Sequence, residues 1–206
     1  MAFVLAFAAA PAAYAQSNHL ANNQLNSTTI SSSTNTTVYE LHGALQTSSL
    51  AGGNTVAVDV DGNLAFSNQQ RFFGDARATT NVHVGALGGS GLILSTAFSN
   101  NAEVNAPTAC CVSVNNLQIA NIDPTAVANV RIGYAAEDVT VSARAFSNGM
   151  TINGSGDGNM HVNSVQWNGA ATHAVANTTI GSIGGDLVAQ SSAIGNSLTI
   201  NNIPRH

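Results

Sequence analysis

The tetrapeptide Ala-Phe-Ser-Asn occurs three times in this chain, at residues 65–68, 97–100 and 145–148, and a worn copy, Ala-Ile-Gly-Asn, stands at 193–196. The last three copies begin 48 residues apart, and the first begins 32 residues before the second. Extended outward without gaps, the alignment gives a partial unit at 49–80, units at 81–128 and 129–176, and an incomplete unit at 177–206. Agreement persists far from the tetrapeptide. The stretch "VSVNNLQIANIDPTAVA" (112–128) falls opposite "MHVNSVQWNGAATHAVA" (160–176), sharing Val, Asn, Gln and the closing "AVA". A long period held in register is the signature of stacked units that bury together a core none of them buries alone.

Inside the units the apolar residues alternate with polar ones, as in "TVAVDV" (55–60), "NVHVG" (81–85), "DVTVSARAF" (138–146) and "SLTIN" (197–201). That two-residue period belongs to extended chain with one face buried. Turn residues mark the joints: "DGN" (61–63), "GGSG" (88–91), "GSGDGN" (154–159) and "IGG" (183–185). The fold class is therefore all-β, a β-solenoid (β-helix) built from 48-residue repeats. The alternative is a β-sandwich, which also uses alternating strands but has no need of a gapless repeat.

In a solenoid, equivalent residues stack ~4.8 Å above one another. This reading predicts Phe66, Phe98, Phe146 and Ile194 in one recurrent inward slot. It predicts Asn68, Asn100, Asn148 and Asn196 at one recurrent bend, using left-handed backbone and hydrogen-bonding as a ladder. One unit is expected to cover roughly two or three rungs, and the 32-residue offset of the first copy hints at sub-units of about 16 residues.

Composition suits a thin, regular core. Hydrophobic residues are 44% of the chain, with Ala and Val prominent, and aromatic residues only 5%. Charged residues are 7%, with no lysine and five arginines, and the net charge is −5. Nucleic acid is excluded as a partner, because phosphate binding needs clustered cations. The opening "MAFVLAFAAAPAAYAQ" reads as a signal peptide over 1–15, an apolar run ending in small residues before Gln16. Residues 16–48, with "NSTTISSSTNTT" (26–37), read as a polar low-complexity linker or capping segment ahead of a repeat domain over 49–206. No later segment is long and apolar enough to span a membrane.

Cys110 and Cys111 are the only cysteines. Neighbouring Cα atoms are ~3.8 Å apart, closer than an unstrained disulfide allows. The simplest reading is two small residues at the start of a strand; a disulfide between Cys110 and Cys111 that shapes a turn, or a bond between chains, are the alternatives.

Catalytic patterns are absent. Asp59 and Asp61 share one face of an alternating strand, which is most simply solvent, and "DVDGN" reads as a turn rather than a calcium loop. The histidines are scattered, and no nucleophile elbow, phosphate loop or dinucleotide fingerprint is present. No metal or other cofactor is implied. The segment "QRFFGDAR" (70–77) breaks the pattern by gathering two Arg and two Phe. Its Arg71, Phe72 and Phe73 form either a plug in the core or a contact for a partner. A polysaccharide-active β-helix enzyme, lyase or hydrolase, is the second functional reading, and it requires Asp59, Asp61, Arg131 and Glu137 to meet in one groove.

The recurring "AFSN" and "AIGNSLTI" phrases, following an Ala-rich leader, resemble repeat segments of exported alphaproteobacterial surface proteins, and specifically the holdfast-anchoring proteins of stalked bacteria, over about residues 49–206. The resemblance implies a non-enzymatic role in adhesion, tethering extracellular polysaccharide to the cell. It implies a place outside the cell or on the outer-membrane surface of a Gram-negative bacterium. Expected partners are that polysaccharide or other surface proteins. Open solenoid ends, with unpaired backbone groups, also allow homo-assembly.

Overall fold

A computed structural model describes residues 17–155, 159–169 and 171–203. The signal peptide expected at 1–15 lies outside them. The described chain is a coil of parallel strands, three to a turn. The first turn holds β1 (Ser17–Asn26), β2 (Ile30–Leu41) and β3 (Leu45–Asp59), and the second β4 (Asn63–Phe72), β5 (Ala76–Leu87) and β6 (Gly91–Ala106). The third holds β7 (Cys111–Ala120), β8 (Thr125–Ala135) and β9 (Val139–Ser155), and the fourth β10 (Asn159–Asn168), β11 (His173–Ile183) and β12 (Leu187–Ile203). Every third strand pairs, giving sheet 1 (β1-β4-β7-β10), sheet 2 (β2-β5-β8-β11) and sheet 3 (β3-β6-β9-β12). The architecture is a β-solenoid.

The 48-residue unit is one turn of the coil, not two or three rungs: Asn81 pairs with Asn129 and Asn129 with Asn177. The sub-unit hinted at by the 32-residue offset is one side of that turn. The first tetrapeptide lies on β4 in sheet 1, and the others lie on β6, β9 and β12 in sheet 3. Phe66 therefore pairs with Val114, whereas Phe98 pairs with Phe146.

The segment 16–48, read as a linker or cap, carries β1, β2 and the start of β3, which pair along their length with β4, β5 and β6. It is folded as an end rung. Its register steps by 46 residues rather than 48, with Asn54 opposite Asn100 but Asn100 opposite Asn148. The difference sits at one corner. Asp59 and Asn105 are partners, yet β4 starts at Asn63 and β7 only at Cys111, so "APTAC" (106–110) holds two residues more than its counterpart.

Each strand of sheet 3 is interrupted at one residue where pairing lapses, the column Gly53, Ser99, Ser147 and Gly195. This break divides the core. Before it, Ile93, Ala97, Val139 and Val141 pack against Val82, Val84, Val130 and Ile132 of sheet 2. Beyond it, Val104, Met150 and Ile152 pack against Leu64, Phe66, Val112 and Val114 of sheet 1.

The break also decides which way each tetrapeptide faces. On β4, Phe66 and Asn68 are both inward by simple alternation, 2% exposed each. On β6, alternation resets at the break, so Ser99 and Asn100 are both buried while Phe98 is turned outward. The expected common inward slot for phenylalanine is thus corrected. Phe98 and Phe146 stack on the outer surface, centroids 5.1 Å apart and planes 9° apart, and Ile194 continues that column at 38% exposure. Nor do the asparagines use left-handed backbone. Among the described residues the one positive φ belongs to Gly62.

Candidate functional site

Parallel stacking puts identical side chains over one another, and amides exploit this by donating to the rung on one side and accepting from the other. Three such ladders run through the interior. Asn54 donates to Asn100, Asn100 to Asn148 and Asn148 to Asn196, each at 2.8 Å. Asn22 donates to Asn68 and Asn68 to Asn116 at 2.7 Å, and Asn116 to the Ser164 hydroxyl at 2.9 Å. Gln166 donates to Gln118 and Gln118 to Gln70 at 2.8 Å, and Gln70 to Gln24 at 2.9 Å.

Their second hydrogens tie the sheets together. Asn100 reaches the Ile119 carbonyl and Asn148 the Trp167 carbonyl at 2.9 Å, while Gln118 reaches back to the Gly149 carbonyl at 2.9 Å. The interior amides are thereby satisfied, as buried polar groups must be. They are structural.

Two further ladders lie on the outer surface: a short one on sheet 3, where Asn201 donates to Asn153 at 2.8 Å and Asn153 to Asn105 at 2.6 Å, and one on sheet 2 that crosses all four rungs. On sheet 2, Asn177 donates to Asn129 and Asn129 to Asn81 at 2.9 Å, and Asn81 to Asn35 at 2.7 Å. Two residues further along the same face runs a second column: Thr37, His83, Arg131 and Thr179, all exposed. Together the columns line a shallow groove of about 290 Å³ that crosses all four rungs. Asn81, Asn129 and Asn177 each spend one N–H on the next asparagine, leaving the other N–H and one carbonyl lone pair to face the groove, while Asn35 at the end of the row only accepts. No carboxylate lines it. The groove offers a row of neutral donors and acceptors at the rung spacing, flanked by one guanidinium and one imidazole.

The residues required by the enzymatic reading do not meet. Asp59 ends β3, Asp61 lies in the corner leading to β4, Arg131 is on sheet 2, and Glu137 lies in the corner between β8 and β9. In "QRFFGDAR", Arg71 is exposed on sheet 1, Phe72 is fully buried and Phe73 is half-buried at the corner. Phe72 is the plug, lying so close to Gly53 that a Cβ there would meet its ring at 2.5 Å. The three side chains form no common surface.

Cys110 closes the lengthened corner and Cys111 opens β7, both as exposed free thiols, with Sγ atoms 3.1 Å apart. The Cys110 thiol donates to Asn63 Oδ1 at 3.0 Å, and the Cys111 backbone N–H to the same oxygen at 3.2 Å. The hydrogen bond with Cys110 is the main cause that pushes the Cys111 thiol above its ordinary pKa; desolvation and the charge of Cys110 add to it.

The outward Asn35–Asn81–Asn129–Asn177 ladder was missed by sequence reasoning. The signal was present: Asn81, Asn129 and Asn177 open the three gapless units, and admitting one two-residue gap adds Asn35. No helix among the described residues is long and apolar enough to cross a membrane.

Compared with known proteins, the chain matches the family model of holdfast attachment protein D over residues 42–205. No curated protein matches, and no solved structure does.

Proposed function

Because this chain belongs to the holdfast attachment protein D family, we propose that it is an exported, non-catalytic scaffold of the cell surface that anchors an adhesive polysaccharide along the outer groove of sheet 2. The observation that carries this reading is the solvent-facing amide ladder. A polysaccharide presents hydroxyls at a regular spacing, and a ladder of asparagines presents one donor and one acceptor per rung to meet them. Neutral hydrogen-bonding groups suit a ligand of hydroxyls, and the Arg131–His83 pair leaves room for acidic sugars. The absence of a carboxylate from the groove lining fits retention of a glycan rather than its hydrolysis, which uses paired acids. A stiff solenoid also suits load, since each turn is hydrogen-bonded to the next along three sheets.

The test is binding of the purified chain to a panel of soluble oligosaccharides, neutral and uronic, compared with an Asn81→Ala, Asn129→Ala variant. Both positions face outward, so strand content should survive. Binding by the parent and its loss in the variant support the reading. Equal binding by the two, or none by either, would sink it.

A further inference from the structure

Two exposed thiols stand side by side where β6 passes into β7, and the turns on either side hold the peptide between them. The Sγ atoms of Cys110 and Cys111 are 3.1 Å apart. Both polar groups of the peptide that joins the two residues are engaged. The Cys110 carbonyl accepts from the Asn159 N–H of the fourth turn at 2.7 Å. The Cys111 N–H donates to Asn63 Oδ1 of the second turn at 3.2 Å, and the same oxygen accepts the Cys110 thiol hydrogen at 3.0 Å.

We propose that Cys110 and Cys111 are a redox modification site, which a disulfide oxidant closes to a ring and which the stacked turns hold toward the open dithiol. Closure takes the sulfurs from 3.1 Å to about 2.05 Å. Adjacent Cα atoms stand ~3.8 Å apart, short of the roughly 4.4 Å at the lower end of the disulfide range. The ring contains the 110–111 peptide, so the shortfall is met by turning that peptide. Turning it draws the Cys111 N–H away from Asn63 and the Cys110 carbonyl away from Asn159. Oxidation also removes the thiol hydrogen that Asn63 accepts. Three contacts between turns thus belong to the reduced state. A strained, exposed disulfide is more readily reduced than an unstrained one, so the site is reversible rather than a permanent staple.

The chemistry is thiol–disulfide exchange with a small disulfide, RSSR. One cysteine, as thiolate, attacks a sulfur of RSSR and expels one RS⁻; the other then attacks the protein-bound sulfur and expels the second. The two cysteines lose two electrons and two protons, and two molecules of RSH form. Oxidants of this class prevail outside the cytoplasm. The inference does not depend on the glycan reading, and no glycan enters its test.

Titration with glutathione provides that test. The full chain, purified reduced, is equilibrated over a series of reduced and oxidised glutathione mixtures and trapped by alkylation, and its intact mass is measured. Both thiols should vanish in one transition, leaving a monomer lighter by two hydrogens with no glutathione attached. Cys110→Ser and Cys111→Ser each lack the second thiol and should instead retain one glutathione. In denaturant, where no turn holds the peptide, the closing equilibrium should be at least about threefold more favourable than in the folded chain. Asn63→Ala, with strand content checked by circular dichroism, should move the folded chain toward the denatured value. Thr108→Ala, which removes corner contacts to Asp61 and Gly62 only, should leave it in place. Two glutathiones on the parent chain, thiols that stay free, or disulfides between chains would overturn the ring. A folded chain that closes as readily as the denatured one, or equal shifts from the two corner substitutions, would overturn the hold of the turns upon it.

Discussion

Asn100 Nδ2 donates to Asn148 Oδ1 at 2.8 Å across two rungs, with both side chains fully buried. Asn148 in turn holds the Trp167 carbonyl and Asn196. Replacing it by alanine strands an N–H of Asn100 and a backbone carbonyl in a dry interior. At about 1–3 kcal/mol for each stranded group, Asn148→Ala should cost about 3 kcal/mol. Asn148→Asp should cost more, because its second oxygen would face two acceptors and bring a charge into the core. Denaturant unfolding of the three chains checks this; an aspartate variant as stable as the alanine one would contradict the ladder's donor assignments.

The two kinds of phenylalanine in one repeated phrase should respond differently. Phe66 is buried among Leu64, Val112 and Val114, so Phe66→Ala should cost about 3–5 kcal/mol. Phe146 contributes an outer-face stack on Phe98, worth about 0.5–1.5 kcal/mol beyond the area it covers, so Phe146→Ala should be clearly milder. Equal losses in thermal or denaturant unfolding would mean that the outer stack carries more than its geometry suggests.

This asymmetry marks the limit of what was legible. The repeat, the all-β class and the stacking of like residues follow from the spacing of "AFSN" and the two-residue alternation. How a 48-residue unit divides into strands does not, because one long turn and several short ones give the same period. The facing of Phe98 was hidden because a single unpaired residue, Ser99, reverses alternation without leaving any break in the pattern of residue types. For residues 16–48 the sequence leaves linker and capping segment both open, because the inward positions of β2 are filled largely by Ser32, Thr34 and Thr36, which only the stacking partners in β5 identify as core-facing. The outward groove was hidden for a related reason: an asparagine that binds its neighbours and one that faces a ligand look the same in sequence.

Close approach of neighbouring rungs makes another distinction measurable. A Cβ on Gly133 would lie 2.5 Å from the Gly85 carbonyl oxygen, a backbone atom that cannot step aside, whereas a Cβ on Gly43 meets nothing within 4 Å. Gly133→Ala should therefore lower stability by about 2 kcal/mol or more. Gly43→Ala should be neutral or stabilising by up to about 1 kcal/mol, since it only narrows the unfolded ensemble. Matched thermal melts decide it, and a tolerated Gly133→Ala would mean that the Gly85–Gly133–Gly181 column has slack that this spacing denies.

The corner thiols give a pH-dependent test. Alkylation proceeds through the thiolate, and the hydrogen bond with Cys110 keeps the Cys111 proton in place to a higher pH than usual. Iodoacetamide labelling of Cys111, followed by mass spectrometry of the intact fold, should therefore rise over a pH range above that of an ordinary thiol. Cys110→Ala removes both the hydrogen bond and the neighbouring charge, so the profile should move to lower pH and labelling at a fixed neutral pH should speed up. A profile unchanged by the substitution would show that the 3.1 Å contact between the sulfurs does not hold the proton in solution.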